Sequence, residues 1–405
     1  MRDIEKSDRF HAVLPTFAGD YSGACSALFE LDGTLIFHDP AGCTGNFVAY
    51  DEPRAYDSHA RIFTSALDDM QALFGKDDLL VHAVERTQEA VGGRFIALVG
   101  SPNPMVLGTD LQAIGRELER KLGVPVLAVD TTGTRYYDVG VEMALLQLAR
   151  DVVFAGCGFE ADAARAARSV NLLGATPLDL QGQSNIEAAS SLLESAGWDV
   201  ETCWCMGSDL DELAQALRAS CNVVVSSSGL KLARWMERRF GIPYVWASLS
   251  GEMPVQAFSN LMEMRIEGET EASRISLEAA PDGEGKALVI GEQVMAEGMR
   301  QSLMSDEGCA RVDIATFFGW DAADALPGDP GHISEFRALE LVASGAYDMV
   351  VADGLLEEFA HPDTRFIPMP HLAVSSRLSW EDDACPYGRG FLRALHGSQP
   401  GRQTA

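Results

Sequence analysis

The sequence contains no apolar run of about 18 residues, the least a membrane-spanning helix needs, so no helical membrane span is expected. Its opening, MRDIEKSDRF, is charged and lacks the apolar core of a secretion signal, which makes a cytoplasmic location the expectation. Basic residues are scarce: 31 Lys and Arg stand against 60 Asp and Glu, a formal net charge of −29. No local Lys/Arg cluster breaks this acidity, so phosphate backbones and anionic membranes are repelled and neither nucleic acid nor membrane is an expected partner. The charge serves solubility, with a basic docking partner as the alternative. Eight cysteines in 405 residues do not make a disulfide framework, because a chain of this length buries a core without staples. Their uses reduce to metal, catalysis or packing. A G-x-x-x-x-G-K-[ST] phosphate loop is missing too, and GEGK at 283–286 precedes an apolar run instead of following one.

The 47% hydrophobic and 22% charged shares are those of an ordinary globular protein. At roughly 150 residues per domain the chain divides into two or three units. Short apolar runs recur: LIFHD at 35–39, FIALVG at 95–100, VLAVD at 126–130, VVFAG at 152–156, NVVVSSS at 222–228, ALVIG at 287–291 and MVVADG at 349–354. None alternates with polar residues, the pattern of parallel strands covered on both faces, and helix-period segments such as LQAIGRELERKLG lie between them. The fold class expected is α/β, doubly wound with mostly parallel sheets. A faint repeat supports several such units: ERKLGVPVLAVD at 119–130 returns as ERRFGIPYVWAS at 237–248, and more loosely as ASGAYDMVVADG at 343–354. Gly123 and Gly241 suit a left-handed helix cap, and Pro125 and Pro243 stop continuation before a strand begins. Boundaries are expected near 145 and 275, giving lobes at 1–145, 146–275 and 276–395 and a disordered tail, HGSQPGRQTA, at 396–405.

Ligands of doubly wound sheets bind beyond the carboxyl ends of strands. Two cysteines lie in glycine-punctuated stretches there: Cys25 in YSGACSALFELDG, and Cys43 in FHDPAGCTGN directly after an apolar run. Glycine lets backbone approach a bulky inorganic ligand. Both also read as small buried hydrophobes.

With CSALFELDG, HDPAGC followed by DEPR at 51–54, NPMVLGTDL at 103–111 and DTTGTRYYDVG at 130–140 in view, the chain resembles the nitrogenase component 1 family, in particular nitrogenase-like oxidoreductases of anaerobes. RRFGIPY at 238–244 and GEQV at 291–294 fit less specifically. The resemblance implies three Rossmann-like lobes around a central cleft, a dimer, and a low-potential electron donor that is a separate P-loop iron–sulfur reductase. It implies an iron–sulfur cluster at the dimer interface. Cys43 matches the second of three family cysteine positions; the first falls around Phe17 to Asp20 and the third near Ser101 or Pro102, where no cysteine stands. The family's cofactor-ligating position falls near Val225, which cannot bind iron, so dinitrogen reduction is not expected. With Cys25 and Cys43 as metal ligands, a two-fold dimer supplies the four thiolates of one [4Fe-4S] cluster. The dimer is either a homodimer or a heterodimer with a close paralogue.

Other candidates carry two readings each. His38 and Asp39 relay protons or orient the Cys43 loop; Asp51, Glu52 and Arg54 wall the cleft and hold an anionic group, or form a salt-bridged loop. Thr131, Tyr136, Tyr137, Gln183, Ser184, Asn185, Ser227, Ser228 and His371 line the cleft and contact substrate or cofactor, or cap and pack; the Gln183 group is expected to follow a strand PLDL. Cys203 and Cys205 are expected on one strand face, as metal ligands or core thiols; Cys157, Cys221 and Cys309 as packing; Cys385 as an outside ligand. The expected function is reduction of an unidentified small molecule, with a second metal cofactor or a tetrapyrrole as open possibilities. A non-catalytic scaffold for cofactor assembly and a metal-free binding protein are the alternatives.

Overall fold

The computed structural model describes residues 11–380 other than 57, 59, 76, 158–164, 247–249, 252, 276–282 and 323–324, together with Phe391. Cys385 and the tail at 396–405 lie outside the described residues. Three separate sheets form three lobes, and every strand pair in them is parallel. Lobe one holds β1 (Thr34–Phe37), β2 (Arg61–Thr64), β3 (Ile96–Val99) and β4 (Val126–Val129) in the order β2-β1-β3-β4. Lobe two repeats that order with β5 (Ser169–Leu173), β6 (Asp199–Cys203), β7 (Cys221–Val224) and β8 (Tyr244–Trp246), as β6-β5-β7-β8. Lobe three adds a strand, with β9 (Lys286–Ile290), β10 (Arg311–Thr316), β11 (Gly331–His332), β12 (Met349–Ala352) and β13 (Arg365–Pro368) in the order β11-β10-β9-β12-β13. The central strands β1, β3 and β7 are buried at every residue, which is why their sequences show no polar alternation.

Strand order reverses once in each sheet: between β1 and β3, between β5 and β7, and between β9 and β12. Crevices open beyond the carboxyl ends of strands at such reversals. These three places therefore organise everything that follows.

In lobe one the helices are α1 (Asp20–Leu28), α2 (Gly42–Asn46), α3 (Asp69–Phe74), α4 (Asp77–Val91), α5 (Pro102–Leu107), α6 (Leu111–Leu122) and α7 (Tyr137–Leu148). Helix α1 crosses α7 closely because both carry glycine at the contact. A β-carbon on Gly23 would overlap the Tyr137 carbonyl, and one on Gly140 the Asp20 carbonyl. The repeated punctuation is borne out: α6 ends at Gly123 with φ 67°, the helix Leu230–Phe240 at Gly241 with φ 68°, and both feed β-strands after a proline.

Four expectations are corrected. VVFAG at 152–156 is not a strand: α7 runs on through a π-turn at Ala149–Val153 and a further turn, because no breaker precedes Gly156, whose φ is +75°. PLDL is a short helix, Pro177–Leu180, with Pro177 at a first-turn position where its missing N–H is no loss. Cys203 ends β6 while Cys205 lies beyond it at φ 94°, so the two share no strand face. Cys157, expected to pack, is exposed; Cys221 and Cys309 are buried. Among the described residues no helix is long and apolar enough to cross a membrane.

Candidate functional site

At the lobe-one reversal, β1 leads into His38 and Asp39, and the chain turns through Ala41 at φ 96° into α2. Asp39 is fully buried and organises this turn: its carboxylate accepts the Cys43 N–H at 2.8 Å, the Thr44 N–H at 3.3 Å, and the Thr44 and Thr64 hydroxyls at 2.8 Å each. Ser101, which caps α5, donates its hydroxyl to the His38 carbonyl at 2.9 Å. The Tyr21 and Ser101 hydroxyls both reach the half-buried Cys43 sulfur. Burial and the Asp39 charge push the Cys43 thiol up from its ordinary value against those two hydrogen bonds. His38 meets Ser65 at 2.9 Å, and burial pulls its imidazole down, so it is neutral near pH 7.

Cys25 is differently placed. Its thiol is 0% exposed in the apolar core with Leu28, Phe37 and Phe47, and burial raises its pKa far up. Iron ligation needs a thiolate that a cluster can reach, and this burial weighs against Cys25. Among the described residues no group of three or more His, Cys, Asp and Glu side chains could hold a metal ion. Among the described residues one chain thus offers Cys43 at this turn, two copies offer two thiolates, and the four-thiolate count expected of a homodimer is not met there. The described residues do not by themselves fit a complete cluster at this turn.

The DEPR segment is an ion-paired support. Glu52, fully buried, accepts from Arg54 Nε at 2.7 Å and from Ser26 at 2.8 Å. Arg54 also bonds Glu30 at 3.0 Å and the Cys205 carbonyl at 3.0 Å, and lies over the Phe29 ring, so its donors face protein. Asp51 accepts from Ser22 at 2.6 Å and Asn46 at 3.0 Å, and burial pushes it up to about 6. Thr131 donates to the Gly100 carbonyl at 2.7 Å, tying β3 to β4.

A second polar centre forms where the reversals of lobes two and three face the first turn of α7. Tyr137 donates to Asp179 and stands 3.3 Å from His371 Nε2, which in turn stands 3.2 Å from Asp179 Oδ1. Asp353, just after β12, accepts the His371 N–H at 2.9 Å and fixes the backbone carrying the ring. Glu292, just after β9, caps the helix Gln293–Ser305 and accepts the Ser227 N–H from lobe two at 2.9 Å. Burial, reinforced by the nearby Asp179 charge, raises Glu292 to about 7. Burial likewise drives the Tyr137 phenol far up and Asp138 up. Asp138 Oδ1, Thr176 Oγ1, Asp179 Oδ2, Ser227 Oγ and Ser228 Oγ are buried without a hydrogen-bond partner among the described residues. Orphaned oxygens this numerous mark a place built for water or a bound polar molecule. The cavity beside Gly291, Glu292, Met295 and His371 holds about 30 Å³, room for one or two waters.

Of the sequence-named residues this junction gathers Tyr137, Ser227, Ser228 and His371. Gln183 and Ser184 are exposed at a helix start, and Asn185 is buried and donates to the Leu180 carbonyl at 2.8 Å. Tyr136 caps α7 and packs on Phe17 and Phe318. Asp179, Glu292 and Asp353 were missed, although Glu292 and Asp353 directly follow apolar runs, the signal already used in lobe one.

The chain is similar to nitrogenase iron-molybdenum cofactor biosynthesis protein NifE of Clostridium pasteurianum, 26% identical over 57% of this chain and 50% of that protein. It is also similar to a component of the light-independent protochlorophyllide reductase of Halorhodospira halophila, 32% identical over 31% of this chain and 24% of that protein. The chain spans about half or less of the length of the curated relatives it matches. The solved structure "Nitrogenase Cp1 at pH 6.5" shares the fold over 100% of this chain and 99% of its own, with a TM-score of 0.67 and 12% identity. A family profile described as nitrogenase component 1 type oxidoreductase matches residues 20–280. Covering well over half of the chain and joined to the same three-lobed fold, that match makes this protein a member of the nitrogenase component 1 type oxidoreductase family.

Proposed function

We propose that the chain is the substrate-binding component of a two-component reductase, which binds an unidentified small molecule at the junction of the three lobes and protonates it there. The observation that carries this reading is the meeting of Tyr137, Asp179, His371 and Glu292 around buried, unpartnered oxygens. Adding electrons to an unsaturated bond requires matching protons, and a carboxyl group near 7 exchanges them at neutral pH.

Electrons come from a separate reductase, for which the surface beside Cys43 supports a docking role. Met70, Leu73 and Phe74 on α3 and Met105, Val106 and Leu107 on α5 are exposed, and α3 and α5 line one shallow depression. A cluster at this turn takes Cys43 from this chain. The remaining ligands come from a partner with more cysteines there, so a paralogous partner is favoured over a second copy.

The biosynthesis protein matches 57% of this chain and the protochlorophyllide reductase component 31%, which favours a second reading: a scaffold that holds a metal cofactor or precursor during assembly. The discriminating experiment isolates the protein anoxically with its partners, reduces it with the reductase and ATP, and follows reoxidation by the small-molecule fraction of the producing cells. The reductase reading expects reoxidation that Asp179→Asn slows about 100-fold, while the rate of reduction is unchanged. Transfer of a metal cofactor to an acceptor without reoxidation establishes the scaffold instead.

A further inference from the structure

Lobe three carries a larger cavity that shares no residue with the junction. It encloses about 620 Å³ between the N-terminal segment, the start of α7, the strands β9 and β10 and the helix Glu335–Ala343. That volume is typical of sites for drug-sized organic ligands.

One end is cationic. Asp313, buried in β10, accepts from Arg311 Nε at 2.6 Å, from Lys286 Nζ at 3.0 Å and from the Tyr347 hydroxyl at 3.0 Å. Burial pushes the Asp313 carboxyl up, yet these hydrogen bonds hold it below its ordinary value, so it stays charged. Two cations thus face one carboxylate at this end, in a chain whose net charge is −29. Arg337 pairs with Glu340 at 2.8 Å, while the Glu335 carboxylate accepts the N–H groups of Ala12, Val13 and Leu14 and stands 3.4 Å from His11. A guanidinium has five N–H donors; the bonds of Arg311 to Asp313 and, at 3.5 Å, to the Pro327 carbonyl use two of them among the described residues. The loop is shaped to this side chain, for Gly328 sits at φ +96° and a β-carbon there would overlap the guanidinium.

The other end is aromatic. Phe17 packs at 5.0 Å from Phe317 and 5.6 Å from Tyr136 between ring centres, and Ile333 and Leu341 complete the apolar wall. Lys286 lies 4.4 Å from the Tyr347 ring, which holds the ammonium at the cationic end.

We infer that this cavity binds an organic monocarboxylate with a flat apolar body, its carboxylate against Arg311 and Lys286 and its ring against Phe17, Tyr136 and Phe317. The unused donors of Arg311 and the Lys286 ammonium beside it suit one carboxylate. A di- or triphosphate would bring two or more further negative charges beside those of Asp313 and Glu335.

The test is a fluorescence titration of the purified full chain with pyrenebutyrate, with the neutral pyrenebutanol and ADP as competitors. Pyrenebutyrate binds once per chain and about 10-fold or more tighter than pyrenebutanol, the effect of one charge-assisted contact. Arg311→Gln abolishes that preference and leaves pyrenebutanol affinity and the circular dichroism spectrum unchanged. Lys286→Gln provides the same reading should Arg311→Gln fail to fold. Equal affinity for acid and alcohol, a preference that survives both substitutions, tighter binding of ADP, or no binding at millimolar probe overturns the inference.

Discussion

Replacing Glu292 by Gln should remove a pH dependence of stability that the wild-type protein carries. Glu292 is 1% exposed, and its pKa moves from an ordinary 4.5 to about 7 in the folded protein. A carboxyl group whose folded pKa is raised binds its proton more tightly folded than unfolded, so its contribution favours folding below about 4.5 and is lost as pH rises through about 7. At about 1.4 kcal/mol per pH unit, the interval from 4.5 to 7 corresponds to about 3 kcal/mol. Gln keeps one oxygen to accept the Ser227 N–H and to cap the following helix, but it cannot ionise. Equilibrium denaturant unfolding followed by tryptophan fluorescence at pH 4.5 and pH 8 gives a stability difference for each protein. Taking the difference between those two differences cancels the titrating groups that do not interact with Glu292, so the remainder belongs to Glu292 together with its neighbour Asp179. The expected remainder is about 3 kcal/mol, wild type losing more than the variant on going to pH 8. A remainder near zero would mean that the Glu292 carboxylate is as comfortable in the fold as in water, and the junction would then not be the proton-exchanging centre proposed.

Two further outcomes concern lobe one. Arg54→Ala leaves the fully buried Glu52 without its charge partner and should cost about 3–5 kcal/mol in denaturant unfolding, with Arg54→Lys recovering only part because it cannot bond Glu52 and the Cys205 carbonyl together; a loss below about 1 kcal/mol would refute the supporting role. In anoxically isolated complexes, Cys43→Ala should remove bound iron and Cys25→Ala should leave it, measured as iron per chain; iron lost equally from both would restore Cys25 as a ligand.

The fold class was legible because β1, β3, β4, β7, β9 and β12 are covered on both faces and so read as unbroken apolar runs. The edge strand β2, RIFT, escaped because all four residues are only partly buried. VVFAG was misread because an apolar run of five has no period that tells helix from strand. In the site, Cys43, His38 and Asp39 follow directly from a strand end and were readable. The same signal marks Glu292 after β9, but its meeting with Asp179 was not readable: Asp179 sits inside a short helix, and the two acquire their chemistry only when lobes two and three meet.

The crossing of α1 and α7 through Gly23 and Gly140 bears on how the two centres are spaced. Tyr21 on α1 reaches Cys43, while Tyr137 on α7 gives its carbonyl to the Gly23 contact and its hydroxyl to Asp179. The two centres therefore hang on one stiff axle, with no slack for a side chain between its rods. The span from the Cys43 turn to the Tyr137 phenol is thereby held at one length.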